Sequence, residues 1–240
     1  MNGLIALLGS GEYLPVMNDV DRHLLSAVNG HTPRVVCMPT AAGQEGDESV
    51  NYWLDLGVKH FKDLGVDATP ARIVDHESAN DPQWVSTLEN ADLIYFSGGK
   101  PNYLYEILQG SLAWEAAQKA WTRGATYAGC SAGAMILAQQ IPNVRSTVRQ
   151  TSQNAFNIVP AKFIMPHFDK MRGLWSTFLF AVRRKLEKGE FILGVDENTA
   201  LVGKEGESWQ VMGESKVHII TRDDEQIFST GSEINFFQTR

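Results

Sequence analysis

Cysteine is scarce in this sequence. The 240 residues include only two cysteines, Cys37 and Cys130, which lie far apart along the chain. Two distant cysteines do not make a disulfide framework of the kind that stabilises small secreted domains. We therefore expect a cytoplasmic protein, in a reducing environment.

Long apolar runs and an excess of basic charge are also missing. No stretch reaches the roughly 18 apolar residues of a membrane-spanning helix. The short apolar segment at the start has no basic residue before it, so we interpret it as a first strand rather than a signal peptide. With 21 basic and 28 acidic side chains the net charge is −7, and an acidic surface repels phosphate backbones. We expect neither a membrane nor a nucleic acid as partner.

The sequence also has no linker-like composition, internal repeat or low-complexity tract, so we predict one α/β domain over residues 1–240. Apolar runs typical of strands buried on both faces alternate with amphipathic helical patterns. The predicted strands are 4–8, 34–39, 91–99 and 125–129, and the clearest predicted helices are 17–28, 49–64 and 172–188. Two more helices are predicted before Gly124. This alternation indicates a doubly wound α/β fold with a mostly parallel sheet.

The last part of the chain has a different pattern. From residue 191 onward it is strand-like, with turn signals in "KEGES" and "RDDEQ". We predict C-terminal antiparallel β-hairpins that add to the edge of the parallel sheet.

One pentapeptide has the spacing of a nucleophile. Gly129-Cys130-Ser131-Ala132-Gly133 fits G-x-S-x-G and lies between a predicted strand and a predicted helix, the context of a nucleophile elbow. Ser131 would then present its hydroxyl at the carboxyl end of the sheet, while Cys130 faces inward as a small core residue. The alternative is a glycine-rich bend that packs the helix against the strand.

A serine nucleophile needs a base and an orienting acid. Among six histidines, His167 alone follows a predicted strand end at the edge where Ser131 is expected, since Pro166 interrupts the run before it. The other five are interpreted as surface or packing histidines. Asp196 and Glu197 end another apolar run, and the residues themselves do not decide between them. A solvated turn is the alternative for both acids.

Glycines at a third strand end suggest backbone donors for an oxyanion. Gly98 and Gly99 lie between a strand and a helix, where bare backbone approaches a ligand closely. Ala132 would supply another N–H group from the helix N-terminus. The glycine-rich "LLGSGE" near the start lacks the full dinucleotide-binding pattern, because the third glycine of that pattern is missing.

Four motifs together resemble the serine peptidase family that contains aspartyl dipeptidase (peptidase E) and cyanophycinase. They are "YFSGGKPNYL", "AGCSAGAMIL", "MPHFDKMRG" and "GVDENTAL", within residues 95–202. The resemblance implies a flavodoxin-like sheet related to class I glutamine amidotransferases. It also implies a Ser131–His167–Glu197 triad, with Asp196 as the alternative acid. Amidotransferases instead use a cysteine at the elbow and a His-x-Glu pair, which this sequence lacks.

The sequence departs from these relatives around the expected substrate site. Lys100-Pro101 follows the glycine turn, where aspartyl dipeptidase has Asn and Thr, and Met165-Pro166 precedes the histidine, where cyanophycinases have acidic and amide residues. Lys100 would attract a substrate carboxylate, or is a solvated turn residue. Asn102 and Arg172 are further candidates for substrate binding.

The combined expectation is a serine-type peptidase or amide hydrolase acting on short peptides, dipeptide or β-aspartyl-like, through an acyl-enzyme. No metal-binding spacing such as H-E-x-x-H occurs, and no cofactor is expected. The alternatives are an esterase or other acyl hydrolase, and a small-molecule-binding protein without turnover. The apolar surface of residues 178–186 would suit either a homodimer contact or core packing.

Overall fold

The computed structural model describes residues 2–142 and 152–235, apart from the side chains of residues 172 and 174–178. Its strands are β1 (Ile5–Leu8), β2 (Val35–Met38), β3 (Ala68–Pro70), β4 (Leu93–Phe96), β5 (Thr126–Cys130), β6 (Gln140–Pro142), β7 (Ser152–Asn154), β8 (Phe163–Met165), β9 (Ile192–Val195), β10 (Thr199–Gly203), β11 (Trp209–Gly213), β12 (Lys216–Ile220), β13 (Glu225–Ser229) and β14 (Glu233–Ile234). Its helices are α1 (Asn18–Ser26), α2 (Asp47–Asp63), α3 (His76–Ala79), α4 (Gln83–Glu89), α5 (Pro101–Leu108), α6 (Leu112–Arg123), α7 (Ala132–Met135) and α8 (Phe168–Arg183).

The larger sheet has the order β14-β11-β10-β1-β5-β4-β2-β3. The pairs from β1 to β3 are parallel, and β10 joins β1 antiparallel. In the parallel part Leu8 lies beside Cys130, and Phe96 lies beside Gly129. The carboxyl ends of β1, β4 and β5 therefore reach the same edge of the sheet, and the mixed α/β architecture with a mostly parallel central sheet is confirmed.

The parallel strands other than the edge strand β3 are buried on both faces. In β4 all four residues are buried, and they alternate between two hydrophobic clusters on opposite sides. Ile94 and Phe96 pack on one side, while Leu93 and Tyr95 pack on the other. Such burial explains the continuous apolar runs in the sequence.

Helix α6 has an ordinary cap at each end. At the start of α6, Trp114 N–H donates to the hydroxyl of Ser111 (3.1 Å). The helix ends at Gly124, which adopts φ 119°, a conformation suited to glycine. The helix predicted over 172–188 is displaced: α8 begins at Phe168, directly after His167, and ends at Arg183.

The C-terminal strands are antiparallel hairpins, as predicted, but only some of them extend the larger sheet. β10, β11 and β14 do so, whereas β9, β12 and β13 form a second sheet with β8 in the order β13-β12-β9-β8. The prediction that the whole tail joins the parallel sheet is therefore wrong. Alternation and turn signals locate hairpins, but they do not select the neighbour with which a strand pairs.

The second sheet has a consequence for the site. β8 and β9 are parallel, with Met165 beside Gly194. The residues that follow these strands, His167 and Asp196–Glu197, therefore emerge side by side. The chain then turns from β9 of the smaller sheet directly into β10 of the larger one.

Within residues 2–142 and 152–235, no helix combines the length and apolar character needed to cross a bilayer. The segment suggested as a dimer contact lies in and just beyond the end of α8. The Phe178 side chain is outside the described residues, and Phe180 is exposed with the Arg184 guanidinium 5.5 Å from its ring centroid. A homodimer stays a prediction.

Candidate active site

Ser131 lies on a sharp turn between β5 and α7. Its backbone has φ 49° and ψ −104°, and its N–H donates to the carbonyl of Leu8 (2.9 Å). A Cβ at Gly129 would lie 2.4 Å from the Gly133 carbonyl oxygen, and one at Gly133 would lie 2.6 Å from that of Phe96. The two glycines are thus required by close backbone approach, and the serine conformation is the strained one expected at an elbow.

Cys130 faces the interior, as expected. Its side chain is fully buried, and its thiol donates to Oε2 of Glu12 (2.8 Å). Burial raises the pKa of the thiol well above its usual range, and the neighbouring Glu12 charge raises it further. A buried, protonated thiol is a poor nucleophile, whereas the hydroxyl of Ser131 lies at the surface of the turn.

His167 contacts Ser131 from the end of β8. It is in the left-handed region (φ 50°, ψ 36°), immediately before α8, and its N–H donates to the Gly9 carbonyl (3.3 Å). Nε2 of the imidazole is 3.2 Å from Oγ of Ser131. When Nδ1 carries the proton, Nε2 is free to accept the hydroxyl hydrogen.

Glu197 is the acid that reaches this imidazole. Its Oε1 is 3.0 Å from Nδ1 of His167, and its backbone N–H donates to Oδ1 of Asp169 (2.9 Å). About a third of each side chain of the His167–Glu197 pair is exposed, so solvent screens their attraction. The main effect of the contact is to hold the proton on Nδ1 and the ring in one orientation.

Asp196 has other partners. Its side chain is buried, Oδ2 accepts from the hydroxyl of Ser215 (2.8 Å), and Oδ1 lies 3.2 Å from Nε2 of His218. The His218 ring in turn contacts Glu225 through Nδ1 (3.0 Å). Of the two acids that the residues left open, Glu197 is therefore the one directed at His167.

The predicted oxyanion donors differ in availability. The Gly98 N–H already donates to Oε1 of Glu12 (3.0 Å), so in this arrangement it is not open to a ligand. In the described part of the chain, the N–H groups of Gly99 and Ala132 have no acceptor. Gly99 has φ 142°, and a Cβ there would lie 2.5 Å from the carbonyl oxygen of Ala41.

The model of peptidase family S51 matches residues 5–211. The chain belongs to peptidase family S51. A crystal structure of a peptidase from an acI-B1 Actinobacterium has a TM-score of 0.89 and 36% identity, covering 98% of this chain and 97% of that one. No curated protein matches the sequence.

A more distant structure shares the fold. It is a protein of Listeria monocytogenes EGD-e whose name assigns it provisionally to peptidase E, with a TM-score of 0.65 and 20% identity over 90% of this chain and all of that one. The family membership and the peptidase neighbour support a peptidase. The four motifs lie within residues 95–202, whereas the family match extends over residues 5–211, which is most of the chain.

In this S51 chain the predicted substrate-binding residues lie near the start of α5 and in α8. Lys100 is exposed directly after Gly99, and its Nζ contacts Oε1 of Gln44 (3.2 Å). Asn102 lies in the first turn of α5 and is partly buried. Arg172 belongs to α8, but its side chain lies outside the described residues. These three assignments stay predictions.

The other histidines of this S51 chain lie away from Ser131. His60 is buried against Asp21 (2.8 Å), and His31 contacts Asp92 (2.9 Å). His23 and His76 are exposed. Within residues 2–142 and 152–235, no three His, Cys, Asp or Glu side chains are placed to hold a metal ion.

The loop that sequence reasoning missed is 8–12, which connects β1 to the site. Its carbonyls at Leu8 and Gly9 accept from Ser131 and His167, and the Ser10 hydroxyl accepts from Asn198 N–H (3.1 Å). Glu12 contacts both Gly98 and Cys130. The sequence signal for this loop is the "GSGE" that directly follows a strand, although the same pattern also resembles part of a dinucleotide-binding loop.

Proposed function

We propose that this S51 chain is a serine peptidase of short peptides, with Ser131 as nucleophile, His167 as general base and Glu197 as the orienting acid. The observation that supports this most directly is the continuous contact from Oγ of Ser131 through the imidazole to Glu197, at 3.2 and 3.0 Å. Both distances are within the range in which a base accepts a proton from a nucleophile and is held by its acid.

In the proposed reaction, Oγ of Ser131 forms a bond to the carbonyl carbon of a substrate amide, and its proton passes to Nε2 of His167. The tetrahedral intermediate breaks its C–N bond as His167 returns the proton to the leaving amine. Water then attacks the acyl-enzyme and loses a proton to His167; the bond between the acyl carbon and Oγ breaks, and His167 returns that proton to Oγ of Ser131. Glu197 stabilises the imidazolium in both stages.

The backbone N–H groups of Gly99 and Ala132 would stabilise the oxyanion. Each such donor contributes about 3 kcal/mol to the transition state when it is positioned in advance. Ala132 is the first residue of α7, where N–H groups are free of intrahelical partners. Gly99 presents its amide from the loop that precedes α5.

The proposed substrates are dipeptides or β-aspartyl-like peptides. Lys100 follows Gly99 directly and presents an exposed cation, so a substrate carboxylate near the scissile bond would find a partner there. Asn102 and Arg172 are proposed to contribute to the same recognition.

The test is a hydrolysis screen with a dipeptide library, β-aspartyl dipeptides and simple acyl esters, run in parallel on Ser131→Ala. We expect cleavage of one or more peptides and loss of that activity in the variant. Cleavage of esters alone would favour an acyl hydrolase. No turnover, combined with no labelling by a fluorophosphonate, would favour a binding protein, and activity surviving in the variant would contradict the proposal.

A further inference from the structure

Glu12 is a buried acid next to the proposed nucleophile, and the proposed mechanism gives it no role. Its side chain lies in the loop after β1 and is only 8% exposed. Removing a carboxylate from water is costly unless its oxygens are hydrogen-bonded. Both oxygens of Glu12 have partners: Oε1 accepts from Gly98 N–H (3.0 Å), and Oε2 accepts from the Cys130 thiol (2.8 Å).

These two partners adjoin Ser131 from different strands. Cys130 is the last residue of β5 and directly precedes Ser131, and Gly98 lies in the loop after β4. A Cβ built on Gly98 would lie 2.8 Å from Oε1 of Glu12 and 3.3 Å from Cβ of Ser131. Glu12 therefore joins the loop after β4 to the nucleophile turn.

The contact constrains the peptide group that carries the Gly99 N–H. Glu12 fixes the peptide group before it, through Gly98 N–H, and the Ala41 carbonyl fixes the one after it, through Lys100 N–H (2.9 Å). Glycine at position 99 allows many conformations, so the intervening amide has little intrinsic preference for one direction. Because the peptide groups on both sides are hydrogen-bonded, the Gly98–Gly99 peptide group is restricted to the direction seen in the structure.

We propose that Glu12 is a positioning residue that fixes the Gly98–Gly99 peptide so that the Gly99 N–H is directed at the developing oxyanion. The inference rests on the proposed serine mechanism. It also explains why the Gly98 N–H, a predicted oxyanion donor, donates to Glu12 and not to a substrate. Loss of the contact would weaken transition-state stabilisation while leaving substrate binding nearly unchanged.

Two variants of similar size isolate the hydrogen bond. Glu12→Gln retains an oxygen for Gly98, whereas Glu12→Met fills the same volume without an acceptor. On a peptide cleaved by the unmodified protein, we expect Glu12→Met to lower kcat roughly 10- to 100-fold with KM within about threefold, and Glu12→Gln to stay within about fivefold in kcat. Equal losses in both variants, or an unchanged kcat in Glu12→Met, would overturn the proposal.

A third variant covers the possibility that the methionine variant does not fold. Glu12→Asp keeps the charge but withdraws the carboxylate from Gly98 by one methylene, so kcat should fall more than in Glu12→Gln. A kcat no lower than that of Glu12→Gln would contradict the inference.

Asp92 supplies the matched control, because it is a buried acid at the opposite end of β4 that is held by Arg34. Asp92→Asn should lower the melting temperature and leave kcat unchanged. A kcat loss in Asp92→Asn equal to that in Glu12→Met would show a general effect of destabilisation and overturn the proposal.

Ser131→Ala in the same assay distinguishes failure of the proposed serine mechanism from failure of the proposed role of Glu12. If that variant retains turnover, the proposed function fails. If it is inactive while the Met and Asp variants at position 12 match the unmodified protein, only the role of Glu12 fails.

Discussion

The two ends of the strands differ in how much strain they hold. At the carboxyl ends, Tyr13, Ser131, His167 and Asn198 follow β1, β5, β8 and β9, and all four have positive φ. Glycine tolerates such angles, whereas other residues pay a cost in conformational energy. Among the described residues, four of the five non-glycine residues with positive φ thus lie after these strand ends, and the fifth, Asn157, lies between β7 and β8.

At the amino ends of the parallel strands, one acid forms several hydrogen bonds that join neighbouring segments. Asp92, just before β4, accepts from the backbone N–H, Nε and Nη2 of Arg34, at 3.0, 3.0 and 3.1 Å. Its carbonyl also accepts from Thr126 N–H (2.8 Å), which ties β4 to β5. The comparison indicates that this end stabilises the sheet and the other end positions reactive groups.

The adjacent acids Asp196 and Glu197, after β9, should show the largest difference between a catalytic and a stabilising role. Glu197→Gln should lower kcat roughly 10²- to 10⁴-fold, because the imidazole loses the partner that sets its tautomer and stabilises its cation. Asp196→Asn should leave kcat within about threefold and destabilise the fold by about 1–3 kcal/mol, since Asp196 is buried and hydrogen-bonds Ser215 and the buried His218.

Steady-state kinetics and denaturant unfolding of the two variants supply the measurements. If Asp196→Asn were the catalytically defective variant and Glu197→Gln the active one, the assignment of the orienting acid would be reversed.

A pair of glycine substitutions compares the two ends directly. Gly99→Ala introduces a Cβ 2.5 Å from the Ala41 carbonyl oxygen at φ 142°, so both stability and kcat should fall, kcat by roughly 10²-fold. Gly124→Ala, before β5, is strained at φ 119° but meets no atom within 4 Å. It should cost about 1–2 kcal/mol of stability and leave kcat unchanged. Similar kcat losses in both would remove the distinction between the ends.

The smallest expected effect concerns acid stability. Burial alone would raise the pKa of Asp92, but hydrogen bonds from Arg34 and His31 outweigh it and lower the pKa to about 2. Because the folded pKa lies below the unfolded one, the contribution is fully present above about pH 5 and is lost as the pH falls from about 5 to 2. It amounts to about 2 kcal/mol.

Urea unfolding at several pH values measures this contribution in the unmodified protein and in Asp92→Asn. The stability difference between them should shrink as the pH approaches 2. A difference that stays constant from pH 7 to pH 2 would contradict the depressed pKa.

The sequence predicted those parts of the site that depend on strand ends. In a parallel sheet, consecutive apolar runs end at one edge, so the sequence predicts Gly99 and Ser131 at the same edge. His167 was expected there for the same reason, although its strand belongs to the second sheet. The parallel pairing of β8 with β9 still places it beside Glu197.

Features set by side-chain direction could not be predicted in this way. Asp196 and Glu197 are neighbours of the same chemistry, and only the turn into β10 decides which one faces His167. Likewise, nothing in the local pattern around Gly98 indicates that its amide is taken by Glu12, a residue 86 positions earlier. Long-range pairings of this kind depend on the packed fold rather than on spacing.

The central claim is that His167 and Glu197 activate Ser131, and fluorophosphonate labelling followed by peptide mass mapping tests it most directly. We expect a single adduct on Ser131, with a labelling rate that falls sharply in His167→Ala and Glu197→Gln but not in Asp196→Asn. An adduct on another residue, or labelling of Ser131 at an undiminished rate in His167→Ala, would contradict it.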